Sequence, residues 1–371
     1  MGDEYRNTGK NKASTAYDEP RGHRRHKKSL WRRLRHSIIK TVKTNKWVFP
    51  AIVISLVVIF ATVLWMRGNI RSMSQQRVTS SNQHNVGMGY RNVTFKGREY
   101  RYNTRITSVL YIGVDSEGTM KKNETFVAAP RADSIQLIVM DGYKKKISII
   151  AINRNTICKI HRYSRHGYDL GEFKDQLCLA YAYGENGEIS SKNVCNAVSK
   201  LLYGVPINDY VVCNRSSLLE LCNVLGNVTV TVPNDDLVEY GYHKGDRLDI
   251  DSSNINLFVR TRDTGKDFSN VGRMQRQKAY INATIGTIMD MVKSDPKGTW
   301  EKIENAEYCM NTSITRNRYL DLSNLVSKAS YTDGDYYVLD GKTIMGTFWE
   351  EFYPDEEMLL EKVIDTFYLP Q

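Results

Sequence analysis

Apolar residues fall into two regimes along this chain. The first is a single unbroken block. Trp47 to Met66 carries no charged side chain and consists mostly of Val, Ile, Leu, Phe and Ala. Coiled as a helix it is long enough to cross a hydrocarbon core of about 30 Å. Pro50 falls in its first turn, where a missing N–H costs little, and Trp47 and Trp65 sit where an aromatic belt marks the two interfaces. A buried core helix would rarely go uncharged over this length, so the block reads as a membrane span.

The second regime is a series of shorter runs punctuated by turns. Residues 107–114, 134–140 and 146–152 are β-branched and apolar, the last two separated by Asp141-Gly142, and are predicted to be buried central strands. Leu177, Leu179 and Ala180 predict a helix over 175–183. Val194, Ala197, Val198, Leu201 and Leu202 share one helical face over 190–202. Strand signals return over 209–213, 228–232 and 256–259, and helices are predicted at 273–291, 318–328 and 354–367. From residue 67 to about 91 the chain is rich in Ser, Gln, Asn and Gly without apolar periodicity, which reads as a flexible stalk. The predicted organisation is therefore a basic tail (1–46), a transmembrane helix (47–66), a stalk (67–95) and one folded domain (96–371). Alternating strands and helices predict an α/β fold with a sheet covered on both faces, in which ligands gather at strand ends.

Charge refines this picture. The net formal charge is +11, and the segment before the span holds fourteen Lys and Arg against four Asp and Glu, hence +10 of it. The basicity belongs to the tail and leaves the rest nearly neutral. The positive-inside rule then places the N-terminus in the cytoplasm and everything after Met66 outside, so a nucleic-acid partner is not called for. Each tail Lys or Arg near an anionic lipid surface adds about 1 kcal/mol of attraction. A cleaved signal peptide does not fit, because the basic region is too long and no small-residue cleavage site closes the apolar block. All six cysteines lie on the outer side without zinc-ligand spacing. Cys195 and Cys213 could pair if they share a local α–β unit, and free buried thiols are the alternative.

Candidate chemistry is concentrated in arginines. Arg260, Arg262, Arg273 and Arg276 crowd into two short stretches, and the guanidinium fork matches phosphate oxygens in bidentate geometry. A single arginine here would read as a solvated charge; the clustering points to an anionic, phosphorylated ligand. Asp115 follows the first predicted strand, Asp133 precedes the second, and Arg154 follows the third. If those strands are neighbours, the two carboxylates converge and could hold Mg²⁺, which completes its shell with water and substrate phosphate. No Gly-x-Ser-x-Gly elbow, His-Glu-x-x-His, P-loop or Gly-x-Gly-x-x-Gly occurs. His161, His166 and His243 lie in polar stretches and read as surface residues.

Seven segments in order resemble the LytR-CpsA-Psr family of cell-envelope phosphotransferases: 110–115 (LYIGVD), 131–134 (RADS), 152–156 (INRNT), 180–184 (AYAYG), 205–210 (VPINDY), 225–230 (LGNVTV) and the arginine segment ending Arg276-Gln277. The resemblance implies a three-layer α/β/α domain with a central mixed sheet. It further implies transfer of a glycopolymer from a polyprenyl-pyrophosphate carrier to peptidoglycan, with the lipid in an apolar tunnel and the diphosphate held at its mouth by arginines and Mg²⁺. By position, Asp115 and Asp133 match the metal-associated carboxylates, and Arg131, Arg154, Arg260, Arg262, Arg273 and Gln277 match the head-group ligands. Arg276 is placed in the same substrate-binding set. The implied location is the cell membrane, single-pass, with membrane lipid and the lipid-linked glycan as partners. One motif departs: the family's Pro-Arg-Asp-Thr stands here as Asn153-Arg154-Asn155-Thr156, losing a carboxylate that could neutralise Arg154 or act as a base. That change motivates a non-catalytic lipid or glycan binder as an alternative, and a pyrophosphate hydrolase on the same scaffold is another.

Overall fold

The computed structural model describes residues 92–121, 129–164, 166, 168–262 and 269–371. The tail, the apolar block at 47–66 and the stretch up to residue 91 lie outside the described residues. Among the described residues no helix is long and apolar enough to cross a membrane.

The chain enters as a hairpin, β1 (Val93–Phe95) and β2 (Arg98–Tyr102), so the end of the predicted stalk already belongs to the folded body. Next come β3 (Ile106–Val114), β4 (Ala132–Asp141) and β5 (Lys146–Ile152), whose β-branched residues are buried on both faces. The turn between β4 and β5 is closed by Asp141, whose carboxylate accepts the N–H groups of Tyr143 and Lys144 at 2.8 and 2.9 Å. A second hairpin follows, β6 (Ile157–Tyr163) and β7 (Asp169–Gln176), then a one-turn helix α1 (Leu179–Ala182) and α2 (Gly187–Leu201). β8 (Asp209–Cys213) leads into α3 (Arg215–Leu225), which starts on a capping box between Asn214 and Ser217. β9 (Val228–Thr231) and β10 (Arg247–Ile250) pair with each other and precede α4 (Ile255–Arg260). The 26-residue α5 (Ser269–Ser294), α6 (Pro296–Asn305), β11 (Met310–Thr312) and α7 (Arg316–Ser327) come next. The chain closes with β12 (Tyr336–Val338), the hairpin β13 (Gly341–Met345) and β14 (Glu350–Pro354), α8 (Glu356–Phe367) and β15 (Tyr368–Pro370).

Six strands form the central sheet in the order β11-β8-β3-β4-β5-β12. It is mixed: β3 runs parallel to β8 and antiparallel to β4, β4 is antiparallel to β5, and β12 is parallel to β5. The predicted α/β class with a central mixed sheet is thus the observed one. The two sheet faces bury different partners. Leu110, Ile112, Ile135, Leu137, Ile150 and Ile152 pack against α2 through Val194 and Val198 and against α8 through Val363 and Phe367. The alternate residues Val109, Met140, Ile147 and Ile149 face α5 and α7 through Met289, Ile281 and Leu322.

Two predicted elements change identity. Residues 256–259, read as a strand, are the helix α4, because Phe258 and Val259 pack in a separate cluster with Val230, Ile250 and Tyr280. The predicted helix over 175–183 is the end of β7 followed by the single turn of α1. All six cysteines are free, so the Cys195–Cys213 pairing is not formed.

Candidate functional site

Because β4 runs antiparallel to β3 and β5, the C-terminal ends of β3 and β5 and the start of β4 share one edge of the sheet. Asp115, Asp133 and Arg154 are therefore neighbours. The backbone N–H of Arg131 donates to Asp115 Oδ1 at 2.7 Å, tying the end of β3 to the entry of β4. Asp133 owes its direction to a β-bulge. Gly113 pairs with Ser134 and Val114 with Ala132, which leaves Asp133 as the extra residue. Strict alternation would send Asp133 to the packed face with Ile135 and Leu137; the bulge turns it to the other face beside Ser134.

Three arginines from three elements close on that carboxylate. Arg154 Nη1 lies 2.6 Å from Asp133 Oδ1, Arg273 Nη1 lies 3.5 Å from Oδ2, and Arg260 Nη2 lies 3.9 Å from Oδ2. The Arg154 approach is an ion pair without hydrogen-bond alignment, since Oδ1 accepts no aligned donor. Arg154, Arg262 and Arg273 each keep a buried Nε–H with no acceptor. Burial pulls the Arg273 guanidinium down to about 10; Asp133 opposes the shift, and Arg154, Arg262 and Arg260 reinforce it. Arg260 is lowered by burial as well, against the pull of Asp133 and Asp115. A site with more guanidinium charge than carboxylate, and with unfilled donors, is built to receive an anion.

Arg273 is also fixed from behind. Its Nη2 donates to Asn270 Oδ1 at 2.6 Å, and Asn270 Nδ2 donates to Asn153 Oδ1 at 2.8 Å. Asn153 Oδ1 in turn accepts the backbone N–H of Asn155 at 2.9 Å. An asparagine amide can turn over, and an acceptor on its nitrogen side holds its oxygen toward the guanidinium. Asn155 does not face Arg154 at all. It is buried, and its Nδ2 donates to Glu350 Oε2 at 3.1 Å in β14.

Beneath this cluster the sheet and α3, α5 and α7 enclose a cavity of about 490 Å³. Its walls are hydrocarbon, including Ile138, Met140, Leu221, Ile285, Met289 and Leu322. The charged groups of the lining, Asp133, Arg260 and Arg273, gather at one end with Ser134 and Gln277, while polar side chains such as Thr284, Thr299 and Ser323 are scattered elsewhere in the wall. Ser134 Oγ donates to Gln277 Oε1 at 3.2 Å and Gln277 Nε2 donates to the Val259 carbonyl at 3.3 Å, so this rim is preset. Tyr111 also lines the cavity near Arg260, and burial pushes its phenol up, keeping it a neutral donor.

The predicted residues thus separate into groups. Asp115, Asp133, Arg154, Arg260, Arg273 and Gln277 meet at the cavity mouth. Arg262 lies within electrostatic range of Arg273, and Arg131 contributes its backbone while its side chain is exposed. Arg276 is elsewhere. It has no exposed side-chain surface and binds the carbonyls of Phe258 and Thr261, the Asn234 side chain at 3.0 Å and Asp236 at 2.5 Å. Its role is to fasten α5 to the end of α4. Gly272 permits this, since a Cβ there would meet Asp236 Oδ2 at 1.9 Å. Sequence reading missed Tyr111, Asn153 and Asn270; the i, i+3 spacing of Asn270 and Arg273 was the available signal. Among the described residues no group of three or more His, Cys, Asp and Glu could hold a metal, so any ion here would take the two carboxylates Asp115 and Asp133 from the chain.

A mixed α/β sheet carrying an arginine-rimmed apolar cavity defines the class, and comparison with known sequences fixes the family. The LytR_cpsA_psr family profile matches residues 63–336, and the chain belongs to that family. It is 24% identical over 254 residues to the polyisoprenyl-teichoic acid–peptidoglycan teichoic acid transferase TagU of Bacillus cereus (strain AH820), covering 67% of this chain and 74% of that protein. It is 26% identical over 277 residues to the corresponding transferase TagV of Bacillus subtilis (strain 168), covering 70% of this chain and 63% of the relative. The crystal structure of B. subtilis TagV shares the fold with a TM-score of 0.52 at 23% identity, over 71% of this chain and 95% of that one.

Proposed function

We propose that this protein transfers a wall glycopolymer, teichoic acid, capsule or another glycan, from a polyprenyl-pyrophosphate carrier to a peptidoglycan hydroxyl. The observation that carries the reading is one cavity with hydrocarbon walls and a guanidinium rim. Burying a prenyl chain contributes about 0.8 kcal/mol per CH₂, and the rim supplies the counter-charge for a diphosphate. The transferase names of TagU and TagV support the same class of reaction.

In the proposed step the acceptor hydroxyl oxygen bonds to the sugar-proximal phosphorus, and the bond from that phosphorus to the bridging oxygen breaks. Polyprenyl phosphate leaves. Arg154, Arg260 and Arg273 hold the diphosphate and stabilise charge that grows on its oxygens in the transition state. Asp133 is occupied by guanidinium groups, whereas Asp115 is exposed and has one oxygen beyond its bond to the Arg131 N–H, which accepts the hydroxyl proton only where no ion is bound to it. The carboxylates fit Mg²⁺ arriving with a diphosphate, because the ion takes only one or two carboxylates from protein and the rest from phosphate and water. Asp115 and Asp133 would hold it, and it would supply charge neutralisation at the phosphoryl oxygens. Asn155 brings no carboxylate to this step, and its amide is engaged by Glu350. The apolar block at 47–66 would anchor the domain on the outer side of the membrane that carries the lipid.

The test is twofold. Native mass spectrometry of the chain purified from membranes should show a co-purified polyprenyl lipid, and incubation with lipid-linked polymer should yield product only when peptidoglycan acceptor is present. Polymer released to water without acceptor would define a hydrolase instead, and bound lipid without Mg²⁺-dependent turnover would define a binder.

A further inference from the structure

The two most exposed large apolar side chains among the described residues are Phe348 and Trp349, at 80% and 69%. Both sit at the tip of the β13–β14 hairpin. The tip is held in shape: Gly346 N–H donates to the Trp349 carbonyl at 2.9 Å, and a Cβ on Gly346 would come within 3.0 Å of that oxygen. The residue after Trp349 is the buried Glu350. Its carboxylate accepts from Asn155 at 3.1 Å and its carbonyl accepts from Gln176 Nε2 at 2.6 Å. Asn155 adjoins Arg154, and Gln176 lies two residues from Cys178, whose thiol is in electrostatic contact with the Arg154 guanidinium. The aromatic tip is therefore rigidly mounted beside the turn that delivers Arg154 to the anion site.

From this mounting we infer that Phe348 and Trp349 form a stacking platform for neutral pyranose rings, the acceptor side of the reaction proposed above, on whose site the inference rests. Rigid aromatic faces with a carboxylate close by suit sugar rings, which offer C–H bonds on one face and hydroxyl donors at the edge. Glu351 is that carboxylate, kept in place by the Tyr353 hydroxyl at 2.6 Å. Local charge excludes two other occupants. Residues 343–354 carry no Lys or Arg, and the carboxylate that reaches the tip is that of Glu351, against Gly346. Aromatic anchors that enter an anionic lipid surface are flanked by Lys and Arg, and a phosphate-rich polymer would meet the same repulsion.

The test uses the full chain in phosphatidylcholine nanodiscs and the emission difference between wild type and Trp349→Phe, which isolates this tryptophan. Chitotetraose, a neutral amino-pyranose oligomer, should perturb that emission. Phe348→Ala should raise its Kd about fivefold while farnesyl diphosphate affinity stays within twofold. The inference is overturned if the sugar leaves the emission unchanged, if brominated phosphatidylglycerol in the disc quenches Trp349, or if a glycerol-phosphate oligomer binds the tip more tightly than chitotetraose. Wild type that fails to bind farnesyl diphosphate would refute the anion-site reading alone, because the sugar readout does not use it.

Discussion

The same three strands face two different interiors. On one side Leu110, Leu137 and Ile150 meet α2 and α8 in a packed core, with no surface left exposed. On the other side Val109, Ile138 and Ile149 meet α3, α5 and α7 around a hollow of about 490 Å³. Both sets are β-branched or aliphatic and alternate along one backbone, so hydrophobicity does not distinguish them. What differs is that the helices over one face leave a hollow against the strands and those over the other do not. One face spends its apolar surface on stability and the other keeps it for a ligand.

The sharpest way to break that contrast is at the cavity mouth. Arg273→Ala should lower polymer transfer by about two to three orders of magnitude, measured as wall-attached polymer in cells relying on the variant alone. Unchanged attachment would remove Arg273 from the reaction. The contrast itself is tested by a pair of truncations. Leu137→Ala should cost about 3 kcal/mol in urea unfolding, because it opens a void in a close-packed core, whereas Ile138→Ala, already bordering open space, should cost about 1 kcal/mol or less. Equal costs would mean the two faces are packed alike.

Smaller effects probe how the rim is held. Asn153→Ala removes the acceptor that orients Asn270 behind Arg273, and farnesyl diphosphate affinity by calorimetry should fall about tenfold; Asn153→Asp, which keeps an acceptor, should retain affinity within about threefold. A loss of equal size in both variants would reduce Asn153 to a turn residue. The least effect concerns thiols. Cys213 lines the cavity and burial pushes it up to about 12, so its labelling by an uncharged thiol reagent should be slow at neutral pH and rise about tenfold per pH unit below that value. Prenyl diphosphate should protect it, while Cys178, wholly buried behind Arg154, should not react in the native state. Labelling indifferent to the lipid would place the hydrocarbon tail elsewhere.

Much of this was legible in the residues and some was not. The runs at 107–114, 134–140 and 146–152 gave their strands because both faces are buried and β-branched, and the Asp, Asp and Arg at their ends marked a common edge. Residues 256–259 misled because a run of three apolar residues has no period of its own, and contacts with Val230 and Tyr280 decide its form. The β6–β7 hairpin was invisible: β7 is largely exposed and carries two apolar residues in eight. Arg276 looked like its neighbours in sequence, and its contacts with Asp236, forty residues away, and with the carbonyls of Phe258 and Thr261 make it a fastener. The cavity could not be read at all, since the residues lining a hollow and those filling a core have the same chemistry.

The extra residue at Asp133 has an evolutionary consequence. Deleting the Ala132 codon would restore regular pairing with β3 and turn Asp133 toward the aliphatic packed face, and deleting the Asp133 codon would remove the carboxylate the arginines close on, whereas most replacements in the stretch would leave the backbone path intact. Length, more than identity, is what this short segment must conserve, and indel scanning should find it intolerant where point changes are merely silencing.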